Sequence, residues 1–94
     1  MSVPFEWDAQ KRALNLRKHG IDFADASRVF DGGVLEGFDE RGSHDEARII
    51  TYGEVNHQVL AVVYTWRGKN RRIISARKAT KAEREAYYRA LYPG

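Results

Sequence analysis

Between residues 58 and 67 the chain reads Gln-Val-Leu-Ala-Val-Val-Tyr-Thr-Trp-Arg. In an extended strand successive side chains point to opposite faces, so Val59, Ala61 and Val63 lie on one side and Leu60, Val62 and Tyr64 on the other. Both sets are apolar, which predicts a central strand covered on both faces. The flanking segments 48–55 and 71–77 are β-prone but more polar. They are joined to the central one by Asn56-His57 and by Gly68-Lys69-Asn70, which suit tight hairpins. An antiparallel meander follows, with room for helices above and below it.

Those helices are legible from their caps. Asp8 is an N-cap, Ala9, Ala13 and Leu16 recur at helical spacing, and Gly20 is a C-terminal stop, predicting a helix over 8–19. Asp22 caps a second short helix with Phe23, Ala26 and Phe30 on one face, broken by Asp31-Gly32-Gly33. A short strand is expected at 34–38 and an exposed loop at 39–46. Thr80 and Glu83 form a capping box for a last helix over 81–92, on which Tyr87 and Leu91, then Tyr88 and Tyr92, make adjacent stripes. The expectation is one α+β domain spanning 1–94, with two N-terminal helices, an antiparallel sheet of about four strands and a C-terminal helix. At 94 residues the chain is too short for two independent cores.

The absence of cysteine rules out disulfides and thiolate metal sites and fits the reducing cytoplasm. The N-terminus lacks the pattern of a signal peptide, and no apolar run approaches the length of a membrane span.

Charge is segregated. Up to Thr65 there are seven Lys or Arg against eleven Asp or Glu; from Trp66 onward nine cations face only Glu83 and Glu85. This asymmetry points to a polyanionic partner rather than a membrane, because the basic stretch carries no large apolar face. Its densest part, Arg71 to Lys81, runs from a strand into the start of a helix. Unpaired N–H groups and the helix dipole favour an anion there, with Arg77, Lys78 and Lys81 around it. Strict alternation puts Ile73, Ser75 and Arg77 on one face and Ile74, Ala76 and Lys78 on the other, giving Arg77 and Lys78 different jobs.

Arg67, Arg71 and Arg72 flank a hairpin and either track a nucleic-acid backbone or are solvated turn cations. Among the interleaved aromatics Tyr88 lies one turn after Arg84 and shares its face, where a base can stack. His19, His44 and His57 are the imidazoles available for proton transfer near neutral pH, and none has metal-ligand spacing. His19, at a helix C-terminus, is equally a cap that complements the dipole. No Gly-rich phosphate loop, nucleophile elbow or paired acidic metal site occurs, so no cofactor is expected.

Several ordered stretches carry a resemblance to a family. They are Phe5-Glu6-Trp7-Asp8, Asn15 to Gly20 (Asn-Leu-Arg-Lys-His-Gly) with Asp22-Phe23 and Val29-Phe30, Leu60 to Thr65, and Arg72 to Thr80 (Arg-Ile-Ile-Ser-Ala-Arg-Lys-Ala-Thr), continuing to Glu83-Arg84 and Tyr87. Together they resemble the BrnT toxins of type II toxin–antitoxin systems, nearly end to end; only the 39–46 loop looks unconstrained. The resemblance implies a RelE-like fold and a metal-free endoribonuclease that inhibits translation on free or ribosome-bound RNA. It also implies neutralisation by a BrnA-type ribbon-helix-helix antitoxin in a 2:2 complex, with DNA contacted only through that partner. In such an enzyme Arg77 would hold the scissile phosphate, supported by Lys78 and Arg84. Tyr88 or His19 would move protons or stack a base, and Arg67, Arg71, Arg72 and Lys81 would bind RNA. A different function on the same scaffold, a ParE-like gyrase inhibitor or a non-catalytic nucleic-acid-binding module, would use the same basic surface.

Overall fold

A computed structural model of the chain describes residues 3–42 and 45–94. The doubly apolar segment is the middle of its sheet. β4 (Gln58–Arg67) lies between β3 (Arg48–Val55) and β5 (Asn70–Lys78), antiparallel to both, and β2 (Val34–Asp39) adds antiparallel to β3. Asn56 and His57, both at positive φ, make the first hairpin turn, and Gly68 takes the positive φ of the second.

The expected four-stranded antiparallel sheet is corrected to five strands and a mixed sheet. β1 (Phe5–Glu6) pairs parallel with Arg71 and Arg72, giving the order β1-β5-β4-β3-β2. A two-residue strand has no periodicity to read. It is held by tertiary partners: Arg71 N–H donates to the Pro4 carbonyl, and the Glu6 carboxylate accepts from Asn70 and Arg72.

Helices cover the two faces unequally. α1 (Ala9–His19) starts at the Asp8 cap, which accepts from the N–H groups of Gln10 and Lys11, and ends at Gly20 in the left-handed conformation. α2 (Phe23–Ala26) is shorter than the sequence suggests and tightens into a 3-10 helix, Ser27–Asp31. These segments bury Ile21, Phe23, Ala26 and Val29 against Leu60, Val62, Ile73 and Ala76. The larger side chains among them each contribute about 1.5–3 kcal/mol when fully buried. Val29 packs so close to β3 that a Cβ at Gly53 would stand 2.6 Å from its own Cβ. On the other face α3 (Lys81–Leu91) packs Tyr87 and Leu91 over Val59, Ala79, Leu35 and Tyr52. It covers only one end of that face.

Two details of β5 set the stage for the site. A bulge sits where Val63 pairs with Ser75 but Tyr64 pairs with Ile73, leaving Ile74 as the extra residue. Ile73 therefore faces the same side as Ala76 and Lys78, correcting the strict alternation, while Ser75 and Arg77 stay on the α3 side. Beyond the reach of β1, the outer edge of β5 is closed by a side chain. The buried Asn15 of α1 accepts from Ala76 N–H at 3.1 Å and donates to the carbonyls of Ala76 and Ile21 at 2.8 and 3.0 Å. This pins α1 beside the bulge. Among the described residues no helix is long and apolar enough to cross a membrane.

Candidate active site

On the α3 side of the sheet, strand pairing lines up Leu35, Tyr52, Ala61 and Arg77 in one row and Gly37, Ile50, Val63 and Ser75 in the next. α3 covers the first row as far as Arg77. The second row, small or apolar side chains with Gly37 open, forms a floor beyond the helix N-terminus.

Arg77 marks the boundary. Its Nη1 and Nη2 donate to the two oxygens of Glu83 at 2.7 and 2.9 Å, and its side chain keeps 36% exposure. Glu83 also accepts from Thr80 N–H at 2.8 Å and from the Tyr52 hydroxyl at 2.9 Å. The guanidinium bonds hold the Glu83 carboxyl down at about 2 despite partial burial, and the pair raises Arg77 in return. Burial, then the Glu83 carboxylate, push the Tyr52 phenol up. The anion expected at the start of the last helix is therefore the protein's own Glu83. Thr80 Oγ1 accepts from Glu83 N–H and completes the capping box.

Cations from the N-terminal half complete the surface. Arg41, paired with Asp39 at 2.9 Å, lies close enough to Arg77 for the two charges to repel, and Arg48 lies within reach of Asp39. At the open edge of β5 a groove of about 290 Å³ gathers Lys11, Lys18 and His19 of α1 with Arg48 and Ser75. A larger groove of about 630 Å³ between Phe38 and Trp66 is rimmed by Asp45 and Glu46 as well as Arg67, a mixed charge less suited to phosphate.

Of the residues singled out from the sequence, the structure brings Arg77 and His19 to this surface, on either side of Ser75. Lys78 stands exposed on the opposite side of the sheet. Lys81 and Arg84 are exposed on α3. Tyr88 donates to Glu54 at 2.6 Å, which raises its phenol pKa, and its ring neighbours are Tyr87 and Tyr92. That places it at the hairpin end of the sheet rather than on the floor. Arg67 pairs with Glu46 and Arg72 with Glu6. Arg71 is stacked on the far face over Phe30, Trp66 and Tyr64, at 4.1, 5.0 and 5.4 Å from their ring centres. His57 lies in the first hairpin turn, and His44 falls outside the described residues.

The basic surface is thus not the last third of the chain by itself. Much of that charge is matched inside the fold, and Lys11, Lys18, Arg41 and Arg48 come from the half whose net charge is negative. Arg41, Arg48, Tyr52 and Ser75 escaped the sequence reading, and Glu83 was read only as a cap. The available signal was alternation along residues 48–54, which puts Arg48, Ile50 and Tyr52 on one face. Among the described residues no three His, Cys, Asp or Glu side chains cluster closely enough to hold a metal ion.

A small α+β sheet with one face half open, lined by arginine, lysine and imidazole over a floor of small and aliphatic side chains, is a cationic surface of the kind suited to a polyanion. The family model for the ribonuclease toxin BrnT of type II toxin–antitoxin systems matches residues 7–83. The 1.1 Å crystal structure of the Brucella abortus ribonuclease toxin BrnT is 30% identical, with a TM-score of 0.63, and the match covers 85% of this chain and 100% of that one. No curated protein matches the chain in sequence. The chain belongs to the BrnT family of ribonuclease toxins, whose type II systems pair the toxin with a protein antitoxin.

Proposed function

We propose that the chain, acting as a single toxin domain in the cytoplasm, is a metal-independent endoribonuclease that stops translation by cutting RNA on the open sheet surface around Ser75. The observation that carries this reading is that Arg48, Lys18 and His19 meet in the groove at Ser75, with Arg77 on the same face of β5 and Arg41 close to Arg77, beside a floor of small and aliphatic side chains. A phosphodiester placed there meets cations from several directions while its bases remain outside.

The reaction suited to this equipment is internal transfer. The RNA 2′-oxygen attacks the adjacent phosphorus and loses its proton, the bond to the 5′-oxygen breaks, and that oxygen takes up a proton. The products are a 2′,3′-cyclic phosphate and a 5′-hydroxyl. The protein has to align the backbone, stabilise the charge on the phosphoryl oxygens and move protons. Arg77 and Arg48 serve the charge. Glu83, ionised down to about pH 2 and locked on Arg77, is too weak a base for the 2′-hydroxyl, and the raised Tyr52 phenol is a poor acid. His19 supplies the imidazole for proton transfer. Lys81 and Arg84, exposed on α3, serve the flanking backbone, outside the reacting phosphate, and Lys78, on the opposite side of the sheet, takes no part.

The antitoxin in this reading is a BrnA-type ribbon-helix-helix protein that forms a 2:2 complex, carries the DNA contacts and covers the basic surface with acidic or aromatic segments. The deciding experiment incubates the purified chain with RNA in excess EDTA, beside Arg77→Ala, Arg48→Ala and His19→Ala, all checked for folding by circular dichroism. Cleavage to cyclic-phosphate ends that survives EDTA is expected, with losses of about 100-fold or more in the Arg77 variant. Metal-dependent cleavage, 5′-phosphate ends or full activity in all three variants would remove the proposal.

A further inference from the structure

We propose that Glu83, backed by the Tyr52 hydroxyl, is the positioning residue that fixes the Arg77 guanidinium for the scissile phosphate. This rests on the ribonuclease reading above and assigns a role within the same site.

An arginine presents two hydrogen-bonding forks, one formed by Nη1 and Nη2 and one by Nε and Nη2. Glu83 takes the first fork with both oxygens, at 2.7 and 2.9 Å. Nη1 also reaches the Lys78 carbonyl at 3.3 Å and the Tyr52 hydroxyl interacts with the guanidinium, while Nε makes no hydrogen bond among the described residues and is the donor left for a ligand. Arg77 and Ser75 are two residues apart on the same side of β5, so the guanidinium leaves the strand from the face that carries the open floor.

The carboxylate is itself immobilised from three directions. Thr80 N–H and the Tyr52 hydroxyl donate to it, and the first turn of α3 sets its backbone. Tyr52 comes from β3 and Arg77 from β5, with only Ala61 of β4 between them in the row, so the arrangement spans three strands and one helix. A free arginine would sample many rotamers before meeting a phosphate. Here the plane is set in advance, which is what transition-state stabilisation requires of a donor. A capping box alone needs one Glu83 oxygen on the Thr80 N–H; it does not need the second oxygen, nor Tyr52.

Glu83→Gln separates the two roles. Glutamine can keep the capping box, because its one oxygen still accepts from Thr80 N–H, but its amide NH2 then replaces the oxygen that accepts from Arg77 Nη2 and the Tyr52 hydroxyl. The measurement is kcat and KM for cleavage of a short RNA, with binding of the same oligonucleotide carrying a 2′-O-methyl block. Glu83→Gln is expected to lower kcat on the order of 10–100-fold with KM and binding within about threefold. Thr80→Ala, which loses the cap without touching Arg77, is expected to lower Tm by about 4–8 °C and keep kcat within twofold. Full kcat in Glu83→Gln, or an equal kcat loss in Thr80→Ala, overturns the positioning role. If Glu83→Gln does not fold, Tyr52→Phe decides: unchanged kcat overturns the proposal and a several-fold loss supports it. Arg77→Ala in the same series keeps the levels apart. If it cleaves like the wild type, the site reading fails and this inference with it; if it is inactive while Glu83→Gln is fully active, only the positioning role falls.

Discussion

Replacing Asn15 with alanine should destabilise the fold more than most single substitutions. Asn15 is 7% exposed and makes three hydrogen bonds, accepting from Ala76 N–H and donating to the carbonyls of Ala76 and Ile21. Each bond is worth about 1 kcal/mol net, and each buried backbone group left without a partner costs about 1–3 kcal/mol. Water entering the vacated edge of β5 will recover part of that, so the expected loss is about 3–5 kcal/mol. That is a large fraction of the ~5–15 kcal/mol that holds a small domain together. Urea unfolding at pH 7, followed by circular dichroism with the m-value compared, measures it directly. Asn15→Asp is the stringent companion, since it keeps the acceptor for Ala76 N–H but sets an oxygen against two carbonyls, and it should be at least as damaging. A loss below about 1 kcal/mol for Asn15→Ala would refute the reasoning, because it would mean that the strand edge does not depend on this amide. A folded Asn15 variant should also lose RNA cleavage, since the same bonds hold Lys18 and His19 beside Ser75.

Other consequences can be read in the same assays. Gly53→Ala forces a Cβ to within 2.6 Å of the Val29 Cβ and should cost about 1–3 kcal/mol in urea unfolding. Arg71→Ala removes a cation stacked on three rings and should lower stability by about 1–2 kcal/mol while leaving the affinity for a 2′-O-methyl RNA within twofold. Glu83 drops from an ordinary value of 4.5 to about 2 in the folded chain, so its contribution is complete above pH 4.5 and lost as pH falls toward 2. With Arg77 36% exposed and solvent screening the pair, that contribution is about 1–2 kcal/mol, and the stability gap between wild type and Glu83→Gln should narrow from pH 7 to pH 2.5. Arg84→Glu, on the exposed side of α3, should weaken antitoxin binding at least tenfold in a titration of the purified pair if the antitoxin covers this surface.

The elements that rest on local chemistry were readable without coordinates. The doubly apolar run at 59–64, the caps at Asp8, Gly20 and Thr80, and the two tight turns each encode their geometry within a few residues. Strands over 48–55 and 58–67 accordingly have the bounds that periodicity predicts. The match with the BrnT family was legible for the same reason, as runs of contiguous residues. Arg77 stood out by charge density, but the roles of its neighbours did not.

Tertiary structure decided whatever depends on residues distant in the chain. β1 exists because Glu6 and the Pro4 carbonyl meet Asn70, Arg71 and Arg72, and two residues carry no pattern of their own. The extra residue at Ile74 reverses the face of everything before it on β5, a shift that only the pairing with β4 reveals. The same holds for the basic surface. Composition locates positive charge in the last third, yet an ion's effect depends on what lies within a few ångströms of it. Glu6, Glu46, Glu83 and the ring cluster around Arg71 take up much of that charge, while Arg48 and Lys18 bring theirs to the groove beside Ser75. The sequence by itself determined that this chain would be a two-sided sheet carrying a BrnT pattern. Folding decided which cations stand together, because electrostatic fields add in space and not along the chain.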